Sequence, residues 1–250
     1  MSNLMITLLI LIQSQLSIED KIKKLMPETK PETAVLISET LTTWMPKVGL
    51  NDVNLILALI YKESSFMHMY TQGESGEWGM LQVIPSDDHI QKAALKYRCT
   101  EAEQKASFVE NDKTFKLCRC RMDETTNCDL PDVGSFYENK YIVSIDKLKR
   151  FLKYSPRGAL VTGLYELKYW KNKFDKSLKT RYWTIFPKWL FPSEEMTLWE
   201  SWWKTTKSNF GENVWIVHHN YGGVIKRSHA GRWYPRMVYK QYTKLNKMDI

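Results

Sequence analysis

One carboxylate in this sequence stands where acid–base chemistry could be done. The residues from Asp52 to Phe66 have the apolar periodicity of a helix. Within it, Ile56, Leu59, Ile60 and Glu63 follow one another at positions i, i+3, i+4 and i+7. This spacing places all four on one face, so the carboxylate is predicted to lie on the apolar stripe of the helix.

A glutamate in such a place invites a functional interpretation, because glutamate is rarely buried unless it is paired or working. Burial disfavours the charged form of a carboxyl group and so favours a proton donor near neutral pH. Lys62 is predicted to face another side and to be no partner for Glu63. The alternative is a half-exposed Glu63 at a helix end, without a role.

Two blocks around Glu63 carry a specific pattern. Tyr61–Phe66 reads YKESSF, and Gly76–Pro85 reads GEWGMLQVIP. These blocks resemble the signature of the soluble lytic transglycosylases, in which a helix ends in Glu-Ser-x-Phe and a Gly-Leu-Met-Gln-hydrophobic-x-Pro segment follows. Three later segments also resemble the family. Pro156–Leu167, with Gly163, Tyr165 and Leu167, is similar to its Gly-x-Tyr-Leu helix, and His219–Gly223 is similar to its Ala-Tyr-Asn-Ala-Gly motif. Tyr234 and Val238 fit its closing helix. The resemblance extends from about Asn51 to Tyr242.

The resemblance implies a mainly α, lysozyme-like (goose-type) domain with at most a small β-hairpin. It also implies cleavage of the MurNAc-GlcNAc β-1,4 bond of peptidoglycan with formation of 1,6-anhydroMurNAc. Glu63 would act as general acid and then as base, without a cofactor or metal. The substrate-binding residues that the resemblance implies are Ser64, Ser75, Leu81, Gln82, Asn220 and Tyr221.

The sequence departs from the family at four places. Gly73 stands where a serine often precedes the family's glycine loop, and Ser75, two residues later, is the candidate substitute. Met80-Leu81 inverts the family's Leu-Met order, which gives Leu81 the place of a methionine expected to line the cleft. Asn220-Tyr221 inverts its Tyr-Asn order, so that either Tyr221 or His219 takes the tyrosine's place. The connection over residues 87–139 is longer than usual. These differences indicate a divergent member, such as a phage could carry.

Organisation along the chain is predicted as one catalytic domain over residues 18–250, after an apolar segment over residues 1–17, with an insertion at about 87–139. Helical periodicity dominates. The helices are predicted at Glu19–Met26, Pro31–Trp44, Asp52–Phe66, Asp87–Val109, Ile142–Lys153, Arg157–Phe174, Ser193–Asn209, Glu212–Asn220 and Tyr234–Leu245, with a glycine-rich loop at Tyr70–Pro85.

Leu4–Ile12 resembles the apolar core of a secretory signal peptide, although no basic residue precedes it. The alternative is a first helix of the mature domain. Export would place the protein in the periplasm or cell envelope; a phage virion or lysis protein is the other possibility. Four cysteines, Cys99, Cys118, Cys120 and Cys128, fall in one stretch. They suit two disulfides in an oxidising compartment, or a four-thiolate zinc site, for which the Cys118–Cys120 gap is unusual.

The net charge of +8 indicates an acidic partner. The stretch from Lys147 to Lys188 has twelve Lys and Arg residues and only two acidic residues, Glu166 and Asp175. This stretch could contact an anionic wall or membrane surface. We expect a monomer that acts on glycan strands and does not bind nucleic acid, because no nucleic-acid-binding motif accompanies the basic stretch.

Two other functions remain open at this point. A goose-type lysozyme would cleave the same bond with water as nucleophile, and it would need a second carboxylate, for which Glu74 and Glu77 are the nearest candidates. A non-catalytic wall-binding or virion structural protein could keep the fold without turnover. Adjacent His218 and His219 diverge on a helix, and no His-Glu-x-x-His pair offers a metal site.

Overall fold

The computed structural model describes residues 16–67, 76–85, 88–94, 97, 107–110, 113–116, 145–179, 204–216 and 229–249. Helices make up most of these residues, which confirms the mainly α class. The elements in chain order are α1 (Ile18–Leu25), α2 (Pro31–Val48), α3 (Val53–Ser64), α4 (Asp88–Ala94), β1 (Ser107–Glu110), β2 (Lys113–Lys116), α5 (Ile145–Tyr154), α6 (Pro156–Lys179), a 3₁₀ helix (Gly211–Trp215) and α7 (His229–Asn246). Residues 204–210 are also helical.

Several predictions fall outside the described residues. They concern the apolar segment at Leu4–Ile12, all four cysteines, the acidic candidate Glu74, and three of the implied substrate-binding residues, Ser75, Asn220 and Tyr221. In the part of the chain that the structure describes, no helix is both long and apolar enough to cross a membrane.

The start of α3 follows from local chemistry. Asp52 caps the helix, and its Oδ1 accepts a hydrogen bond from the backbone N–H of Leu55 at 2.9 Å, as an N-cap aspartate does. The preceding helix, α2, runs through Pro46 to Val48, four residues beyond the predicted end at Trp44. It ends at Gly49, whose φ of 75° is the left-handed conformation that glycine adopts most easily.

α3 lies at the centre of the main hydrophobic cluster. All six side chains from Leu55 to Ile60 are buried, so the helix is apolar around its whole circumference and not only along one stripe. Residues of α1, α2, α6, α7 and the 3₁₀ helix belong to the same cluster, and α7 packs directly on α3. A second cluster joins Trp78 and Val83 to α4, α5 and α6, and Trp44 and Tyr165 pack against both clusters.

The prediction of one helix from Asp87 to Val109 is wrong. α4 ends at Ala94, and β1 pairs with β2 as an antiparallel ladder in which Glu110 faces Lys113. The sequence explains the difference, because Phe108 is aromatic and Val109 is β-branched, and such side chains favour strands.

The end of the chain is fixed to α1 and α3 by a polar network. The ammonium of Lys21 lies 2.7 Å from Oδ1 of Asp249 and donates to Oδ1 of Asn54 at 3.0 Å. Nδ2 of Asn54 in turn donates to Oδ2 of Asp249 at 2.8 Å and to Oδ1 of Asn246 at 2.8 Å. Lys21 is nearly buried, and this network supplies the partners that a buried ammonium requires.

Candidate active site

Glu63 lies on the last turn of α3 and is half-buried. The helix stops one residue later, and both Ser65 and Phe66 have left-handed backbone conformations, with φ of 52° and 61°. Two consecutive non-glycine residues in this region are strained, and such strain persists only where the surrounding packing holds it. The side chain of Phe66, only 1% exposed, supplies that packing and fixes the chain's exit beside Glu63.

The partner of Glu63 comes from the other end of the chain. Tyr234 on α7 is buried, and its hydroxyl donates a hydrogen bond to Oε1 of Glu63. α7 packs along α3, which brings the two side chains together. The hydrogen bond from the phenol helps to fix the orientation of the carboxyl group. A carboxyl group held in this way can exchange a proton with a molecule placed beside it.

Lys62, which was predicted to face another side than Glu63, contacts Tyr234. Its side chain does leave α3 on a different face from that of Glu63. Even so, its Nζ lies 5.7 Å from the centre of the Tyr234 ring. The phenol therefore contacts two consecutive residues of α3, one through its ring and one through its hydroxyl.

A tight hairpin forms the second family-like block. Trp78 and Val83 exchange both backbone hydrogen bonds, each 2.9 Å long. Between them, the carbonyl of Gly79 accepts from the backbone N–H of Gln82 at 3.1 Å and from its Nε2 at 2.7 Å. Gln82 adopts a left-handed φ of 49°. Its amide is therefore already engaged in closing the hairpin, and the half-buried side chain has a fixed position.

The hairpin packs on α6, which carries the third block. A Cβ placed on Gly163 would lie 2.6 Å from Cδ1 of Leu81, and one placed on Gly79 would lie 3.0 Å from Cβ of Ala159. A side chain at position 163 would therefore crowd the hairpin. Leu81 and Met80 belong to the same buried cluster as Phe66, so the hairpin and the end of α3 share one core.

Two of the implied substrate-binding residues are buried. Leu81 is 1% exposed because its side chain fills the space left by Gly163, so it packs the hairpin on α6. Ser64 is 5% exposed, and its Oγ donates to the carbonyl of Ile60 at 3.1 Å inside the helix. Glu77, a candidate second carboxylate, is half-buried at the start of the hairpin.

Another buried acidic side chain lies where α4 meets α6. Glu166 is 6% exposed, and its Oε1 lies 3.8 Å from Nε2 of His89 and 3.4 Å from Nε1 of Trp170. The His89 ring stacks on that of Tyr169, with centroids 4.2 Å apart. No group of three or more His, Cys, Asp or Glu side chains that could hold a metal ion occurs among the described residues.

Sequence reasoning did not identify Tyr234 as part of the site. Its only signal was its place in the closing helix of the family-like pattern, since residues 171 positions apart in the chain have no local spacing that links them. Comparisons with protein-family models, with curated proteins and with solved structures give no match to this chain.

Proposed function

We propose that this chain is a lytic transglycosylase of lysozyme-like fold, related to the soluble lytic transglycosylases, that cleaves the glycan strands of bacterial peptidoglycan. The observation that carries the proposal is the half-buried Glu63 held by the Tyr234 hydroxyl at the strained end of α3. The position of Glu63 within a YKESSF sequence and the packing of the GMLQ hairpin on Gly163 support it.

In the proposed reaction, Glu63 first donates its proton to the glycosidic oxygen between MurNAc and GlcNAc. The C1–O bond breaks, and GlcNAc leaves as an alcohol. The carboxylate so formed then removes the proton of the MurNAc C6 hydroxyl, whose oxygen bonds to C1 and closes the 1,6-anhydro ring. One carboxyl group thus serves as acid and as base, whereas ordinary glycosidases use two. General acid–base catalysis of this kind contributes about 10²–10⁴-fold to the rate.

The proposed substrate has consequences for the rest of the chain. Peptidoglycan lies outside the cytoplasm, so we propose an exported enzyme of the cell envelope or a phage protein that reaches the wall. The positive charge of +8 suits an anionic wall. α5 and α6 carry much of this charge, with Lys149, Lys153, Lys168, Lys171 and Lys173 at least partly exposed.

The identity of the product tests the proposal. Purified sacculi are digested with the full chain, and the soluble muropeptides are analysed by mass spectrometry before and after borohydride reduction. We expect muropeptides that end in 1,6-anhydroMurNAc, which borohydride does not reduce. Products with reducing ends would instead identify a hydrolase that uses water, and release of no muropeptide would favour a non-catalytic wall protein.

A further inference from the structure

Lys62 occupies an unusual position beside the proposed acid. Its ammonium lies 5.7 Å from the centre of the Tyr234 ring, within the distance at which a cation is attracted to the face of an aromatic ring. The hydroxyl of the same ring donates to Glu63. Tyr234 is 6% exposed, whereas Lys62 and Glu63 are half-buried, so the ring partly shields these contacts from water and strengthens their electrostatic attraction.

Lys62 and Glu63 do not face each other, but both contact Tyr234. Consecutive residues of a helix leave it about 100° apart and do not face each other. Tyr234, arriving on α7, bridges the two side chains. A phenol that is attracted to an ammonium at its ring and bonded to a carboxyl group at its hydroxyl has two fixed points. Its freedom to turn away from Glu63 is therefore reduced.

We propose that Lys62 is a positioning residue for Glu63 that acts through Tyr234. This inference rests on the function proposed above. Its ammonium holds the phenol ring in the orientation in which the hydroxyl meets Oε1 of Glu63, and so keeps the carboxyl group aimed at the scissile bond. Loss of the positive charge releases the ring and lowers the rate of bond cleavage, while the carboxyl group itself remains.

Lys47 is a matched control that distinguishes a positioning role of Lys62 from a purely structural one. Lys47 is also a lysine in the last turn of a helix, α2, and its Nζ also lies over an aromatic ring, 4.5 Å from the centre of Trp44. Both lysines interact favourably with the carboxyl-end dipole of their helix. Lys47, however, contacts Trp44 and not Tyr234, so it reports the general effect of removing such a cation.

The first test compares Lys62→Met, Lys62→Arg and Lys47→Met in release of anhydro-muropeptides from sacculi, with thermal unfolding recorded for each variant. We expect Lys62→Met to reduce the rate about 3- to 30-fold, the range that corresponds to a cation–π contact. Lys62→Arg should recover most of the rate, because guanidinium is also attracted to the ring face. Lys47→Met should release muropeptides at the wild-type rate.

The second test is a double-mutant cycle with Tyr234→Phe, which keeps the ring but removes the hydroxyl. If Lys62 acts through that hydroxyl, Lys62→Met causes no further loss of rate in the Phe background. Equal losses in both backgrounds, or a wild-type rate for Lys62→Met, would overturn the inference. A wild-type chain that releases no anhydro-muropeptides would refute the proposed function and this role together. The same cycle in thermal unfolding would then still measure the contact itself.

Discussion

The hydroxyl of Tyr234 on α7 donates a hydrogen bond to Oε1 of Glu63 on α3, across 171 positions of sequence. A side chain from a second helix therefore holds the carboxyl group in position. The position of Glu63 therefore depends on the docking of α7 on α3 and on the strained turn at Ser65 and Phe66. A change confined to the carboxyl group itself can test its chemistry while this frame stays intact.

Glu63→Gln is the corresponding substitution. Glutamine keeps the size of the side chain and a carbonyl oxygen that can accept from Tyr234, but it can neither donate a proton to the glycosidic oxygen nor remove one from the C6 hydroxyl. We expect release of muropeptides to fall about 10²-fold or more. Thermal unfolding and binding to intact sacculi should stay close to those of the wild type, because no packing is lost.

Glu74→Gln and Glu77→Gln are the controls for this experiment. A lysozyme-type mechanism predicts that one of them loses as much activity as Glu63→Gln, because a second carboxylate would then orient water. Full activity of a folded Glu63→Gln variant would show that the acid has been assigned to the wrong residue.

The parts of the site that depend on nearby residues could be predicted from the sequence. A cap for α3 at Asn51 or Asp52 follows from residue type and position, and the structure has Asp52 there. The helix that carries Glu63 follows from apolar spacing. The contact of Tyr234 with Glu63 could not be predicted, because it depends on how α7 packs on α3. The burial of Leu81 also depends on long-range packing, since Gly163 lies more than eighty residues later.

Gly163→Ala tests the close approach of the hairpin to α6. Alanine favours a helix by about 1 kcal/mol over glycine, whereas an extra atom in a packed core costs about 1–3 kcal/mol. A Cβ at position 163 would lie 2.7 Å from Cβ of Leu81, an atom that cannot move without the hairpin backbone. Overpacking should therefore outweigh helix propensity, with a net loss of about 1 kcal/mol in the free energy of unfolding measured in urea.

Asn172→Ala, at an exposed position of the same helix, shows the effect of alanine without overpacking and should not destabilise the protein. Combining Gly163→Ala with Leu81→Ala removes the clashes with Cδ1 and Cγ of Leu81 but leaves the one with its Cβ, so Gly163→Ala should cost somewhat less in the Leu81→Ala background than in the wild type. Additive losses would mean that the outer atoms of the Leu81 side chain take no part in the overpacking.

Asp52→Ala is expected to destabilise more than the loss of an ordinary helix cap. Besides capping α3, Oδ2 of Asp52 accepts from Nδ2 of Asn213 at 2.6 Å and from the hydroxyl of Tyr242 at 2.7 Å. Burial and the bond to Asp52 raise the pKa of Tyr242, so its hydroxyl stays protonated and remains a donor. Asp52→Ala removes the acceptor of the bonds from Asn213 and Tyr242 as well as the cap. We therefore expect the free energy of unfolding in urea to fall by about 2–4 kcal/mol.

Ser17→Ala provides the comparison for Asp52. Oγ of Ser17 caps α1 by accepting from the backbone N–H of Asp20 at 3.1 Å, but at an exposed position. Its loss should cost about 0.5–1 kcal/mol. Similar losses from both substitutions would show that the bonds to Asn213 and Tyr242 add nothing to the cap.

The pH dependence of stability should reveal the network at the end of the chain. Burial of Asp249 opposes ionisation, but hydrogen bonds from Lys21 and Asn54 and the charge of Lys21 outweigh it and hold the pKa of Asp249 below its usual value. A carboxyl group whose pKa is lower in the folded state stabilises the protein above its unfolded pKa of about 3.9. That stabilisation is lost as the pH falls through the folded pKa.

We therefore expect Asp249→Asn to reduce the free energy of unfolding by about 1–3 kcal/mol at neutral pH, because the nearly buried Lys21 loses its charged partner. Urea unfolding of wild type and variant from pH 7 to pH 2 should show a constant difference down to about pH 5, which then narrows below about pH 4. Glu28→Gln, which removes an exposed carboxylate outside this network, should show no comparable difference at neutral pH. A difference between wild type and Asp249→Asn that stays constant down to pH 2 would mean that the ionised form of Asp249 does not contribute to folding, and that the network holds through packing and neutral hydrogen bonds alone.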